Sequence, residues 1–187
     1  MSVKITERKG VMISVETSSS NAKSAAFALA NGWENYMNST SDKVDSCLSE
    51  MRKTAIDVIC QSGYADDSVY DSLEKSYINN FISADPDYEE INKTLDALAA
   101  ISTDKAISLL FIFLQGLHQK KSMNSWSKKE EIIFPWVVNS LGLTKILSRN
   151  VWNLLVVIYR NEKYSKKERI YVRDALVKMK TVNQQTA

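Results

Sequence analysis

Proline and glycine are scarce in this chain: two prolines and five glycines in 187 residues. So few can punctuate only a few turns, and the composition points to helices joined by short connections. Cysteine is nearly absent too. Cys47 and Cys60 are expected on one helix, where thirteen residues put them roughly 20 Å apart along the axis. A disulfide needs Cα atoms within about 7 Å, so an internal bridge is excluded on that placement. Two thiols at this spacing carry no metal-site pattern, and the single histidine, His118, has no partner ligand near it in sequence.

Long apolar runs are missing as well. The segments 107–114 and 151–159 fall short of the roughly eighteen residues of a membrane span. The N-terminal residues carry only a short apolar patch, Val11 to Val15, so no secretory signal is expected and a soluble, cytoplasmic protein follows. The motifs of phosphate-loop, His-Glu-x-x-His and Cys-x-x-Cys chemistry are absent. His118 reads as a helix-end histidine favoured by the helix dipole, with no nucleophile or carboxylate adjacent in sequence. The acidic run from Asp85 to Glu90 lacks the alternating ligands and turn glycine of a calcium loop and reads as a helix-start cap. No catalytic, cofactor-binding or metal-binding constellation emerges, and the expectation is a non-enzymatic protein without cofactor.

What is present is helical periodicity. The organising stretch is Thr94 to Leu117, the end of one helix, a polar turn and a second helix. Tyr88, Ile91, Leu95, Leu98 and Ile101 form an i, i+3/i+4 stripe. Ser102, Thr103 and Asp104 then offer acceptors to the free amides of a new helix, and from Ala106 to Leu117 the chain is apolar nearly all round. Other helices are expected over about 21–37, from the Thr40-Ser41-Asp42 cap to Gly63, from Asp66 to before Pro86, and from Ser127 to Gly142. Two more cover about 144–160 and from Ser165 to near Lys180. Ser127 with Glu130 is a capping-box pattern, and Pro135 inside that helix predicts a kink. Residues 1–20 and 181–187 are expected as loose tails around one domain, 21–180.

Two segments look alike. Thr94 to Leu114 and Trp136 to Ile158 each run helix, short turn and more apolar helix, with their turns near Asp104 and Lys145. Leu95, Ala97, Leu98 and Ile101, then Asp104, Ala106, Leu109, Leu110 and Leu114, resemble the helix-turn-helix unit of HEAT and HEAT-like repeat proteins. Ser102-Thr103 stands where that family commonly has glycine. The resemblance covers about 89–178 and implies an all-α fold: a short right-handed α-solenoid of antiparallel helix pairs, about eight helices in all. It also implies a scaffold that binds partners on the concave surface lined by the second helix of each pair.

Charge is the remaining signal. Residues 1–114 hold ten Lys/Arg and seventeen Asp/Glu, net −7, while 115–187 hold fourteen and five, net +9. Such asymmetry favours a charged partner or another copy head to tail. On the polar sides of the two apolar helices lie Lys105, Ser108, Gln115 and Gln119, and Arg149, Asn153 and Arg160. These seven are the candidate partner-binding residues, with Trp126 as a possible aromatic anchor and Trp152 placed in the core. The expected partner is a protein or peptide. The competing expectation is nucleic acid on the basic half, opposed by the acidic half and marked by salt-dependent affinity. A solenoid glycosylase would need carboxylates converging with aromatics, and Asp and Glu lie mostly in the other half.

Overall fold

The computed structural model describes residues 10–37 and 42–185, and all regular structure among them is α-helical. Eight helices follow in order: α1 (Gly10–Met37), α2 (Asp42–Ser62), α3 (Asp67–Ile82), α4 (Tyr88–Ile101), α5 (Asp104–Ser122), α6 (Lys128–Leu143), α7 (Arg149–Arg160) and α8 (Lys166–Gln185). None is long and apolar enough to cross a membrane.

Side chains start most of these helices where the sequence indicates. Asp66 accepts from the Val69 amide, Asp87 from Glu90 and Thr103 from Ala106. Ser127 and Glu130 close the capping box of α6, and Ser165 with Glu168 caps α8 in the same manner. Each satisfies amides that would otherwise lack a partner. Gly63 follows α2 with φ +61°, the left-handed conformation that glycine adopts without cost.

Boundaries differ in three places. α1 begins at Gly10 rather than Asn21, because Thr17 to Ser20 weaken a helix without breaking it once its neighbours propagate it. α7 begins at Arg149 rather than Thr144; Thr144 instead ends α6, its hydroxyl donating to the Leu141 carbonyl. α8 continues past Lys180 to Gln185, whereas α6 holds Pro135 inside it as expected. Thr40 and Ser41 of the expected cap, and residues 1–9 and 186–187 of the expected tails, lie outside the described residues.

Packing follows a simple rule. α1 lies on α2, α3 on α4, α5 on α6 and α7 on α8, and each helix also touches the next but one. The expected partnering of α6 with α7 is replaced by α6 with α5 and α8. The core runs through the whole arrangement, with Ile59, Leu73, Ile91, Leu95, Leu98, Leu110, Leu114, Phe134 and Leu155 sealed from solvent. α5 is not buried all round: Leu110, Leu114 and Leu117 face inward, whereas Ile112 is 54% exposed. Cys47 and Cys60 both sit on α2 and neither is in a disulfide.

Candidate binding face

The outward row of α5 holds Lys105, Ser108, Ile112, Gln115 and Gln119, spaced so that successive members share one helix face. On α7 the corresponding row is Arg149, Asn153, Val157 and Arg160. All nine are exposed. The two helices run side by side in the same direction. Ahead of them the Lys145 amide donates to the Ser102 hydroxyl, and behind them the Lys163 ammonium donates to the Ser122 carbonyl at 2.7 Å.

The seven residues expected from sequence therefore lie on neighbouring helices, but they are not equally available. Lys105 is held by Asp67 at 2.6 Å, which raises its pKa, and lies 4.9 Å from the Tyr70 ring centre. The Ser108 hydroxyl donates to the Asp104 carbonyl of its own helix. Gln115, Gln119, Arg149, Asn153 and Arg160 make no side-chain hydrogen bond or ion pair among the described residues. Their polar groups are open to a partner.

Sequence reasoning missed the apolar part of this face. Ile112 and Val157 are 54% and 53% exposed in the middle of the two rows. Gly116 stands beside Gln115 with nothing within 4 Å of where a Cβ would point. The adjacent α3, tied to α5 by the Lys105–Asp67 pair and by stacking of Tyr77 on Phe113, adds exposed Ile78 and Ile82. The signal was available: Ile112 lies four residues after Ser108 and seven after Lys105, on the polar stripe itself.

Trp126 does not belong to the face. Its indole donates to the Leu117 carbonyl at 2.8 Å, and its ring packs with Phe134 and Tyr164. Trp152 is half-buried against the core. His118 joins the same aromatic group, its Nδ1 2.8 Å from the Tyr164 hydroxyl. Burial lowers the imidazole pKa, which favours the neutral ring over the cation that a helix end stabilises.

Three members of the acidic run from Asp85 to Glu90 are spent on α2. Asp87 accepts from Ser49, Glu89 pairs with Lys53, and Glu90 turns inward to Arg52. Neither Glu90 nor Arg52 reaches solvent, so that pair fastens helices and cannot meet a ligand. The arrangement on α5 and α7 can do one thing chemically, which is to present amides and guanidiniums around a small aliphatic centre. Comparison with protein-family models, with curated proteins and with solved structures finds no match.

Proposed function

We propose that the chain is a non-enzymatic interaction scaffold, a short HEAT-like α-solenoid that holds a protein or peptide partner against the row formed by α5 and α7. The observation that carries it is the group of five polar side chains without intramolecular partners set around exposed Ile112 and Val157. Apolar side chains on rigid helices, rimmed by unpaired polar groups, are the composition of protein-binding patches.

The repeat reading rests on the spacing of contacts between helices two apart. Ser72 meets Ala26 at a separation of 46 residues, Arg52 meets Glu90 at 38, and Lys93 meets Asp57 at 36. Lys105 and Asp67 follow at 38, Lys145 and Ser102 at 43, and Lys178 and Asn139 at 39. A near-constant step of this size along the chain is the property of a helical-pair repeat. The rows differ in closeness: α4, α6 and α8 pack along one another more tightly than α3, α5 and α7 do. A stack of pairs curves toward its tighter row, so in this reading the α5–α7 face is the outer one, not the concave surface expected from the resemblance.

The test is capture of partners from native lysate, with and without nuclease, by the wild type and by two double variants. Arg149→Glu with Arg160→Glu removes the charges; Ile112→Asp with Val157→Asp removes the aliphatic centre. Loss of one nuclease-resistant protein partner in both variants supports the reading. Capture unaffected by either variant overturns it, and recovery of nucleic acid lost on raising salt replaces it with the nucleic-acid alternative.

A further inference from the structure

The first and last helix pairs end in unlike faces, a groove at one end and a row of aliphatic and basic side chains at the other. On α2, Arg52, Lys53 and Asp57 point to α4. The opposite side of α2, with the adjoining side of α1, encloses a groove of about 480 Å³ lined by Ala25, Ala28, Met51, Ala55 and Val58. Glu50 stands exposed beside it on α2, paired with Lys53 of its own helix. At the far end, Ala175 and Lys178 of α8 meet α6. The opposite side of α8 exposes Ile170 and Val177, interleaved with Arg173 and Lys180.

We propose that a second copy of this chain docks here head to tail, the free side of α8 in one copy filling the α1–α2 groove of the next. Two dimensions agree. Ile170 and Val177 are seven residues apart, about 10.5 Å along the helix, and Met51 to Val58 spans the same seven-residue step. Two aliphatic knobs thus meet a groove of matching length whose alanines permit close approach. Within the chain the same device already operates, since Gly142 on α6 lets α8 approach until Ala175 fills the space.

Charge selects the occupant. The half of the chain that carries the groove has net charge −7 and the half that carries α8 has +9. One copy therefore presents to another the complement of what it needs, and the exposed Glu50 carboxylate beside the groove meets the Arg173 and Lys180 side of α8 across the contact. Ion pairs already join α2 to α4 along the chain, so docking continues an existing ladder. The contact is heterologous: each copy keeps one free groove and one free α8, and the product is an open row rather than a closed pair.

The experiment uses the full chain in sedimentation velocity and light scattering across the micromolar range, at low and high salt. Ala28→Lys obstructs the groove and Val177→Lys spoils the knob, with circular dichroism checking that both fold. The expected result is a wild-type mass that grows with concentration and falls with salt. Each variant alone should associate at least about tenfold more weakly. An equimolar mixture of the two variants should recover a species of two chains, one intact groove holding one intact α8. A wild type that stays monomeric, association unchanged in either variant, or a mixture of folded variants that stays monomeric overturns the proposal.

Discussion

The Arg52 guanidinium donates to the Glu90 carboxylate at 3.0 Å between α2 and α4, with both side chains sealed from water. Two further helices converge on the same carboxylate. Trp33 of α1 donates its indole N–H at 3.1 Å and Ser76 of α3 its hydroxyl at 2.7 Å, while the guanidinium lies 4.2 Å from the Trp33 ring centre. Glu90 is the point where four helices are joined by polar bonds. Burial pushes its carboxyl above the usual range, and Arg52 and Ser76 draw it part of the way back.

Removing the two ends of this pair has unequal effects. Glu90→Leu removes the buried carboxylate that a guanidinium, an indole and a hydroxyl share, and is expected to cost about 3–5 kcal/mol. Arg52→Met costs less, because Glu90 keeps Trp33 and Ser76 and can take up a proton. With its folded pKa raised, the stability of Arg52→Met should increase as pH falls through that pKa. Urea unfolding of both variants at several pH values measures this. An Arg52→Met loss as large as that of Glu90→Leu would show that the carboxylate is not the hub.

Gly142 and Gly116 are both helical, and alanine should act on them in opposite directions. At Gly142 a Cβ would stand 2.9 Å from the Ala175 Cα and 3.1 Å from its Cβ, so α6 and α8 must separate. The expected loss is about 1–3 kcal/mol, larger than the helix-propensity gain. At exposed Gly116 nothing lies within 4 Å, and Gly116→Ala is expected to stabilise by about 0.5–1 kcal/mol. Thermal unfolding of the two variants separates close packing from backbone entropy, and a Gly142→Ala protein as stable as wild type would rule out the tight α6–α8 approach.

The helices were legible in the sequence because their signals are local. Asp66, Asp87, Thr103, Ser127 and Ser165 each cap the helix that follows them, and caps are set by residues three apart in the chain. The start of α7 was not legible: Thr144 is an acceptable cap in isolation, and only its burial at the end of α6 removes it. Ser102 shows the same limit. It takes φ +51°, where glycine is cheaper, and its hydroxyl accepts the Lys145 amide from the neighbouring turn. Sequence marked serine as a departure from the repeat pattern; the compensating bond, 43 residues away, is visible only in three dimensions. For the candidate face, periodicity placed all seven polar residues on the surface. It hid Ile112 and Val157, because an aliphatic residue in an apolar helix reads as core by default.

His118 is the chain's one histidine, so its titration can be followed by NMR without assignment. Burial among Tyr164 and its aromatic neighbours lowers its pKa, which places the midpoint below the ordinary value of about 6.5. The sign for stability follows. The unfolded chain binds the proton more readily, so this contribution is complete above about 6.5 and declines as pH drops toward the folded value. Tyr164→Phe deletes the partner 2.8 Å from Nδ1 and should move the midpoint. A wild-type midpoint at or above the ordinary imidazole value would refute a neutral, half-buried ring.

Glu130 sets the acid limit. Burial alone would raise its pKa, but the Lys120 ammonium at 2.6 Å, the Ser127 hydroxyl and the Ser127 amide at 2.8 Å outweigh it and hold the carboxyl at about 2. An unfolded glutamate titrates near 4.3, so this group stabilises the fold fully above that value. The contribution disappears as pH falls from there through about 2. Glu130→Gln retains the shape of the α6 cap and loses the charge, and near neutral pH it should cost roughly 1–2 kcal/mol once screening of half-exposed Lys120 is allowed for. The wild type and variant should converge in stability toward pH 2, where the wild-type carboxyl is itself protonated. Urea midpoints measured from neutral to strongly acid pH test this directly. A gap that stays constant across the range would mean that the capping geometry, and not the carboxylate charge, supplies the stabilisation.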